Sequence, residues 1–387
     1  MRLSYGFSVG IGATNIPVKR GVNWPESSYN LEAAKFREML TMTTSRKNPS
    51  ARRIPARELV RPDVLKKIQK RSDVIGFWLI FHAWAVVFAA MALFSLFPNP
   101  LTFILAIMII GARQLGMAIL MHDGAHNALF ATPRFNTLIC DTFLAWPQMA
   151  TTESYRRYHL QHHARTQQED DPDLVLSAPF PITRKSLRRK MIRDLTGQTG
   201  YQQRKGQILS ALGPAERGLA ERAKHFLDRM GGTMAAHLVI FTACAWMFHW
   251  SYYFVFWLLP WMTYHMAITR LRNIAEHAVV PDNDDPFRNA RTTKANLLAR
   301  MFLAPYWVNH HVEHHLLMHI PCYRLPLFHK ELIKTGYGEK MELAPNYLTV
   351  LRAAASRRED DGPSGTPTKA PRVSGNFTEG FNQPPLA

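Results

Sequence analysis

Apolar residues in this chain are gathered into four runs, with polar stretches between them. Residues 74–97 (VIGFWLIFHAWAVVFAAMALFSLF) pass 24 positions without a Lys, Arg, Asp or Glu. At about 1.5 Å per residue, a helix of that length reaches about 36 Å and can cross a ~30 Å hydrocarbon layer. A second run, 101–121, follows after Pro98-Asn99-Pro100. It contains Arg113, which is costly in lipid unless it faces protein or water. Two shorter runs occupy 234–250 and 252–269, and Pro260 is expected to kink the last. The pattern predicts an all-α integral membrane protein: four transmembrane helices in two hairpins, capped by a cytoplasmic helical domain. Between the hairpins, FNTLICDTFLAWPQM (135–149) is too short to span and suits an interfacial or re-entrant piece. RKSLRRKMIR (184–193) is expected along the lipid headgroups. The domain division is then an N-terminal cytoplasmic segment (1–70), a membrane domain (71–335) and a C-terminal segment (336–387). Its Pro-, Gly- and Ser-rich tail, from about residue 356, is expected to be disordered.

Charge sets the orientation. Lys66, Lys67, Lys70 and Arg71 precede the first run, Arg222, Lys224 and Arg229 precede the third, and Arg270 and Arg272 follow the fourth. The two hairpin tips carry no Lys or Arg. By the positive-inside tendency both termini and the long middle segment are cytoplasmic, in a multi-pass protein of the cell inner membrane. Much of the net charge of +18 is thereby explained by contact with membrane lipids. No nucleic-acid motif accompanies the charge, so nucleic acid is not expected as a partner. The three cysteines are widely spaced and form no CxxC pair, which fits a reducing compartment. The N-terminus lacks a charged head followed by an apolar core, so no cleaved signal peptide is expected.

Histidine supplies the chemistry. HDGAH places His122 and His126, HLQHH places His159, His162 and His163, and HVEHH places His311, His314 and His315. Eight of 17 histidines thus fall in 15 positions, where uniform placement would put fewer than one. On a helix, residues three and four apart share one face, so each box aims its imidazoles in one direction. Several neutral nitrogen donors converging from fixed backbones are what a metal needs. Eight donors exceed one four-coordinate zinc and suit two metal ions. The predicted topology agrees, because an even number of spans returns the third box to the membrane face of the first two.

HDGAH, YRRYHLQHHART with DDPDL, RNIAEH, and NHHVEHH running into IPCYRLP together resemble the integral-membrane fatty acid desaturase family. The resemblance covers roughly residues 70–330. It implies a nine-histidine di-iron centre in which His277 joins the eight box histidines and Asn273 acts on iron through water. It also implies O2 as co-substrate. His310 and His319 depart from the family pattern and are read as non-ligands. His82, His225, His237, His249, His265 and His329 are read as structural, with a substrate role open for His265. Because a ligating imidazole usually donates its other nitrogen to an acceptor, Asp123, Glu276 and Glu313 are candidate outer partners, as are Asp170, Asp171 and Asp173. Arg156 and Arg157 are candidates for a substrate phosphate or for lipid headgroups.

The expected activity is insertion of a C=C bond into an acyl chain at the cytoplasmic face. The carrier of that chain (lipid, acyl-CoA or acyl carrier protein) is open. An apolar tunnel would set the position of the bond. The chain has no haem segment and no cysteine set for an iron–sulfur cluster, so an external electron donor is expected, a ferredoxin or cytochrome with its reductase. A hydroxylase or ketolase acting on lipid or carotenoid is the nearest alternative. A histidine-rich metal store or transporter is a more distant one. Iron is expected to be lost below about pH 6, where imidazoles protonate.

Overall fold

The computed structural model describes residues 54–358. The predicted disordered tail from about 356 and most of the 1–70 segment lie outside the described residues.

Two long helices form the first hairpin. Helix α1 (Asp73–Leu96) starts where the Ser72 side chain accepts a hydrogen bond from Ile75 N. Helix α2 (Pro100–Ala125) starts on a reciprocal cap between Asn99 and Thr102, with Pro100 in its first turn. The Pro-Asn-Pro tip therefore stops one helix and begins the next. Helix α2 is the more enclosed, with 61% of its apolar stretch buried against 33% for α1. It is the central post of the fold. Arg113 meets the expectation for a cation at that depth: it faces protein, donating to Met301 O at 3.0 Å and lying over the Tyr306 ring.

The chain then breaks into short pieces: α3 (Phe135–Cys140), a wide turn at Asp141–Ala145, and a tight turn at Trp146–Gln148. None of these could span a membrane. Helix α4 (Thr152–Arg165) follows, capped by Thr151. Next come α5 (Arg184–Leu195), which carries the basic stretch, and α6 (Gln198–Leu212). A bidentate ion pair from Arg270 to the fully buried Asp194 fastens α5 to the interior.

The second hairpin differs from expectation. Helix α7 (Leu219–Met247) begins well before the predicted start at 234. The fourth apolar run is not one helix. It comprises a wide turn at Tyr253–Leu258, α8 (Leu259–Met262), and α9 (Tyr264–His277), which extends beyond the predicted end at 269. The break falls at Thr263 (φ −118°, ψ −88°), whose hydroxyl donates to Leu259 O at 2.6 Å. Pro260 lacks an N–H, so the ladder from the preceding wide turn into α8 is interrupted there, and Thr263 then separates α8 from α9. Among the described residues, α1, α2 and α7 are the three helices long and apolar enough to cross a membrane.

The remainder comprises α10 (Leu297–Phe302), α11 (His311–Leu316), α12 (Leu325–Lys334) and α13 (Tyr347–Ala354). Two short parallel strands, β1 (Thr292–Thr293) and β2 (Leu343–Ala344), pair Thr292 with Leu343 and Thr293 with Ala344. The all-helical reading did not include them. They tie the stretch after residue 335 to the same core, where Tyr347, Val350 and Ala354 are buried.

Candidate metal centre

Box one ends α2, box two lies along α4, box three forms α11, and His277 ends α9. The nine imidazoles sort into two neighbouring sets. His122, His126, His159, His163 and His314 have ligand nitrogens within 4.8 Å of one another. His162, His277 and His315 form a second set, joined by His311 at 2.8 Å from His277 (Nε2 to Nε2). The helical period explains the sorting. In α4 the pair four residues apart, His159 and His163, serves the first set, while His162 reaches the second. In α11 the assignment reverses, with His311 and His315 in the second set and His314 in the first. Boxes two and three therefore each bridge both sets, while box one serves the first alone.

The nitrogen spacing tests whether a metal fits. His163 Nε2 lies 3.0 Å from His159 Nε2 and 2.9 Å from His314 Nε2. His311 Nε2 lies 2.8 Å from His277 Nε2 and 3.1 Å from His315 Nε2. With metal–nitrogen bonds of about 2.1 Å, two ligands at a right angle stand about 3.0 Å apart, and at the tetrahedral angle about 3.4 Å. The observed spacings are short enough for neighbouring nitrogens to share one cation. His122 Nε2, both nitrogens of His126 and His159 Nδ1 are buried without any partner. Unpaired buried polar atoms are costly, and a cation held by one nitrogen of each ring removes part of that cost. The residues fit a metal.

The other ring nitrogens are held from behind. His162 Nδ1 donates to Asp171 Oδ1 at 2.8 Å. His277 Nδ1 donates to Asn289 O at 3.3 Å. His315 Nδ1 donates to Thr166 Oγ1, whose own hydrogen goes to the His162 carbonyl. These contacts place the proton on Nδ1 and leave the Nε2 lone pair facing the cluster, as metal ligation requires. Burial holds His159, His163, His277, His311, His314 and His315 well below the usual imidazole range, and His126 at about 3. Neutral, they are ready donors. His162 is the exception: burial alone would lower it, but the Asp171 carboxylate outweighs that and holds it above the usual value.

The candidate outer carboxylates behave differently from one another. Asp123 accepts from Cys322 N at 2.6 Å and stands 3.6 Å from His122 Nδ1. Glu276 accepts from Arg272 at 2.6 Å, and its other oxygen lies 3.4 Å from His311 Nε2, among the ligand nitrogens. Burial raises Glu276 to about 7 against the opposing pull of Arg272. Glu313 accepts from Thr292, His310 and His329, not from a box imidazole. Burial would raise it, but those hydrogen bonds prevail and bring it to about 2. His310 and His329, read as outside the centre, thus brace its third box. Asn273 sits one turn before His277 on α9, partly buried.

Other histidines have ordinary partners: His82 with Tyr306, His225 with Ala211 O, His237 with Tyr253, His249 with Ser251, and His319 with His126 O. Arg156 does not face outward. It donates to Ala125 O at 2.7 Å and Gly124 O at 3.3 Å, capping the end of α2 that carries box one. Sequence reasoning missed the stretch 289–293. Asn289 holds His277, Arg291 donates to Ala278 O and Val279 O at the end of α9, and Thr292 holds Glu313. No local pattern marks it. Thr166, four residues after His162 on the same helical face, was in principle visible.

Three apolar helices of membrane length, one of them ending in buried histidine sets that could hold metal, fit a membrane protein with a metal site. A model of the fatty acid desaturase family matches residues 98–343, and the chain belongs to that family. It is also similar to the dihydrorhizobitoxine desaturase of Bradyrhizobium elkanii, 24% identical over 277 residues, covering 66% of this chain and 74% of that protein.

Proposed function

We propose that this protein is an O2-dependent acyl desaturase with two irons. His122, His126, His159, His163 and His314 hold one, and His162, His277, His311 and His315 hold the other, with Asn273 acting through water. The sorting of nine imidazoles into two adjacent sets carries this reading. The irons, when bound, supply the O2-derived oxidising power that removes hydrogen from two adjacent carbons, leaving C=C and water. The chain's own residues orient the centre. Asp171, Asn289 and Thr166 keep His162, His277 and His315 in the tautomer that offers Nε2. Glu313, braced by His310 and His329, keeps α11 in register. Burial of the sets excludes bulk water from the reacting carbons.

The broken fourth run acts as the fourth span, with both termini and the centre at the cytoplasmic face of the inner membrane. The basic segments support this orientation. The domain limits follow: a cytoplasmic segment to about 70, the desaturase domain to about 335, then the C-terminal segment. Electrons come from an external ferredoxin or cytochrome with its reductase. The Bradyrhizobium relative is itself named a desaturase, which favours C=C formation over hydroxylation or ketolation. The test is expression in a host of simple lipid profile, with mass spectrometry of its fatty acids and iron analysis of the purified protein. A product two hydrogens lighter, lost in His162→Ala, supports the reading. Gain of one oxygen, or active protein without iron, refutes it.

A further inference from the structure

Outside the histidine sets, unpaired buried polar atoms gather at one other junction. Arg204 Nε, Gln207 Oε1, His237 Nε2, Trp261 Nε1 and His265 Nδ1 have no hydrogen-bond partner. They come from α6, α7, α8 and α9. Arg204 lies 4.0 Å from the centre of the Trp261 ring, and the His237 ring stands 5.7 Å from the same indole. Arg204 also reaches the sulfur of Met266, the neighbour of His265. Trp261 is 2% exposed, Gln207 4% and His265 7%. Gly200 permits the approach, since a Cβ there would meet Met262 O at 2.4 Å. Without that side chain, α6 packs directly on the backbone of α8 and Arg204, one turn on, reaches Trp261.

Arg204 is a cation among neutral groups. Its remaining donors go to Gln148 O at 3.3 Å and Gln203 Oε1 at 2.6 Å. Among the described residues no carboxylate forms an ion pair with it, and burial alone acts on its charge. Arg204 is partly exposed as a residue, but its Nε is buried without a partner, and native structures seldom leave several neighbouring polar atoms unpaired without a ligand or water. Arg and Trp donors around one point suit an oxyanion.

We propose that this junction binds the anionic end of the substrate, a carboxylate or a phosphate in its place. Arg204 supplies the counter-charge, and Trp261 Nε1–H donates to an oxygen. The assignment of the ligand as substrate rests on the desaturase reading. Helix α9 connects the two sites: His265 and His277 lie on it twelve residues apart, about 18 Å at ~1.5 Å per residue. An acyl chain carries no polar mark near its middle. A fixed end group makes the distance from Arg204 to the histidine sets the measure of which carbons are reached.

The test uses full-length, iron-loaded protein in lipid nanodiscs and three radiolabelled probes: hexadecanoate, hexadecyl phosphate and hexadecanol. The wild type is expected to bind one of the anions at least tenfold more tightly than the alcohol, and the preferred anion identifies the end group. Arg204→Gln is expected to abolish that preference while leaving hexadecanol affinity and iron content unchanged. Trp261→Phe keeps a ring beneath Arg204 and is expected to weaken the anion several-fold. It provides the comparison if Arg204→Gln does not fold. Equal binding of the three probes by the wild type overturns the proposal, as does a preference that survives Arg204→Gln or is left unchanged by Trp261→Phe. The junction is then a polar seam filled by water. Product formation is measured separately: a protein that prefers anions through Arg204 yet forms no C=C product refutes the activity and not the anion site.

Discussion

Asp171→Asn isolates one supporting contact of the metal centre. Asp171 is 5% exposed and accepts three hydrogen bonds at 2.8 Å each: His162 Nδ1–H and Asp173 N–H on Oδ1, Gln167 N–H on Oδ2. An asparagine keeps the size but has one accepting atom. With its oxygen toward His162, the amide NH2 opposes Gln167 N–H and leaves that donor unpaired, at about 1–3 kcal/mol. Turned the other way, it abandons both His162 and Asp173, so the first orientation is expected. His162 then leans on a neutral carbonyl. The imidazole becomes less basic, and loss of such a partner typically costs about 10–100-fold in metal affinity. The first orientation thus costs on the order of 2 kcal/mol in stability and a further tenfold or more in affinity at the second set. The assay is iron per chain during dialysis against a graded chelator, alongside product formation at saturating iron. The variant is expected to fall from two irons toward one while the first set, which Asp171 does not touch, keeps its metal. Unchanged retention of both irons would show that Asp171 is only a loop-closing residue.

Other consequences follow from the same geometry. Arg291→Met removes the donors that hold the Ala278 and Val279 carbonyls at the end of α9, and is expected to loosen His277 and lower iron at the second set; Arg291→Lys should restore part of it, and equal iron in all three proteins would contradict the assignment. In metal-free protein, the seven imidazoles held low by burial are neutral when folded and take up protons when unfolded below about 6.5. Stability is therefore present above that pH and lost as pH falls toward the folded values, by about 1.4 kcal/mol per unit for each independent group. His162, held high, works in the opposite sense. Thermal melts of apo protein in detergent are expected to show a steep fall between pH 6.5 and 5, and a flat profile would refute the buried neutral state. Cysteine labelling at engineered sites in the Pro98–Pro100 tip and near Ser251 should report both on the outer face; opposite faces would break the two-hairpin topology.

The first two apolar runs were legible at nearly their true limits because membrane length is a property of uninterrupted composition. The third was placed too late, since α7 begins in the polar residues after Gly218 and packing continues the helix where hydropathy is silent. The fourth was read as one kinked span. Pro260 marked the trouble, but the separation at Thr263 depends on how α8 and α9 pack on α2 and α6. Among the outer partners, DDPDL announced carboxylates near box two without saying which would reach His162. A loop's acids become distinct only when the loop is folded, and here Asp171 is turned inward while Asp170 is exposed to pair with Arg165.

Residue order alone settled which imidazoles share a direction, because three- and four-residue spacing on a helix is local geometry. It also marked where apolar length is sufficient for lipid. How the nine sort into two sets, with α4 and α11 each contributing to both, was decided by folding. So was the support around them: Cys322 N to Asp123 joins residues 199 positions apart, and His163 meets His314 across 151. Contacts at such separations depend on which helices lie side by side, and that arises from packing around α2, not from any pattern along the chain.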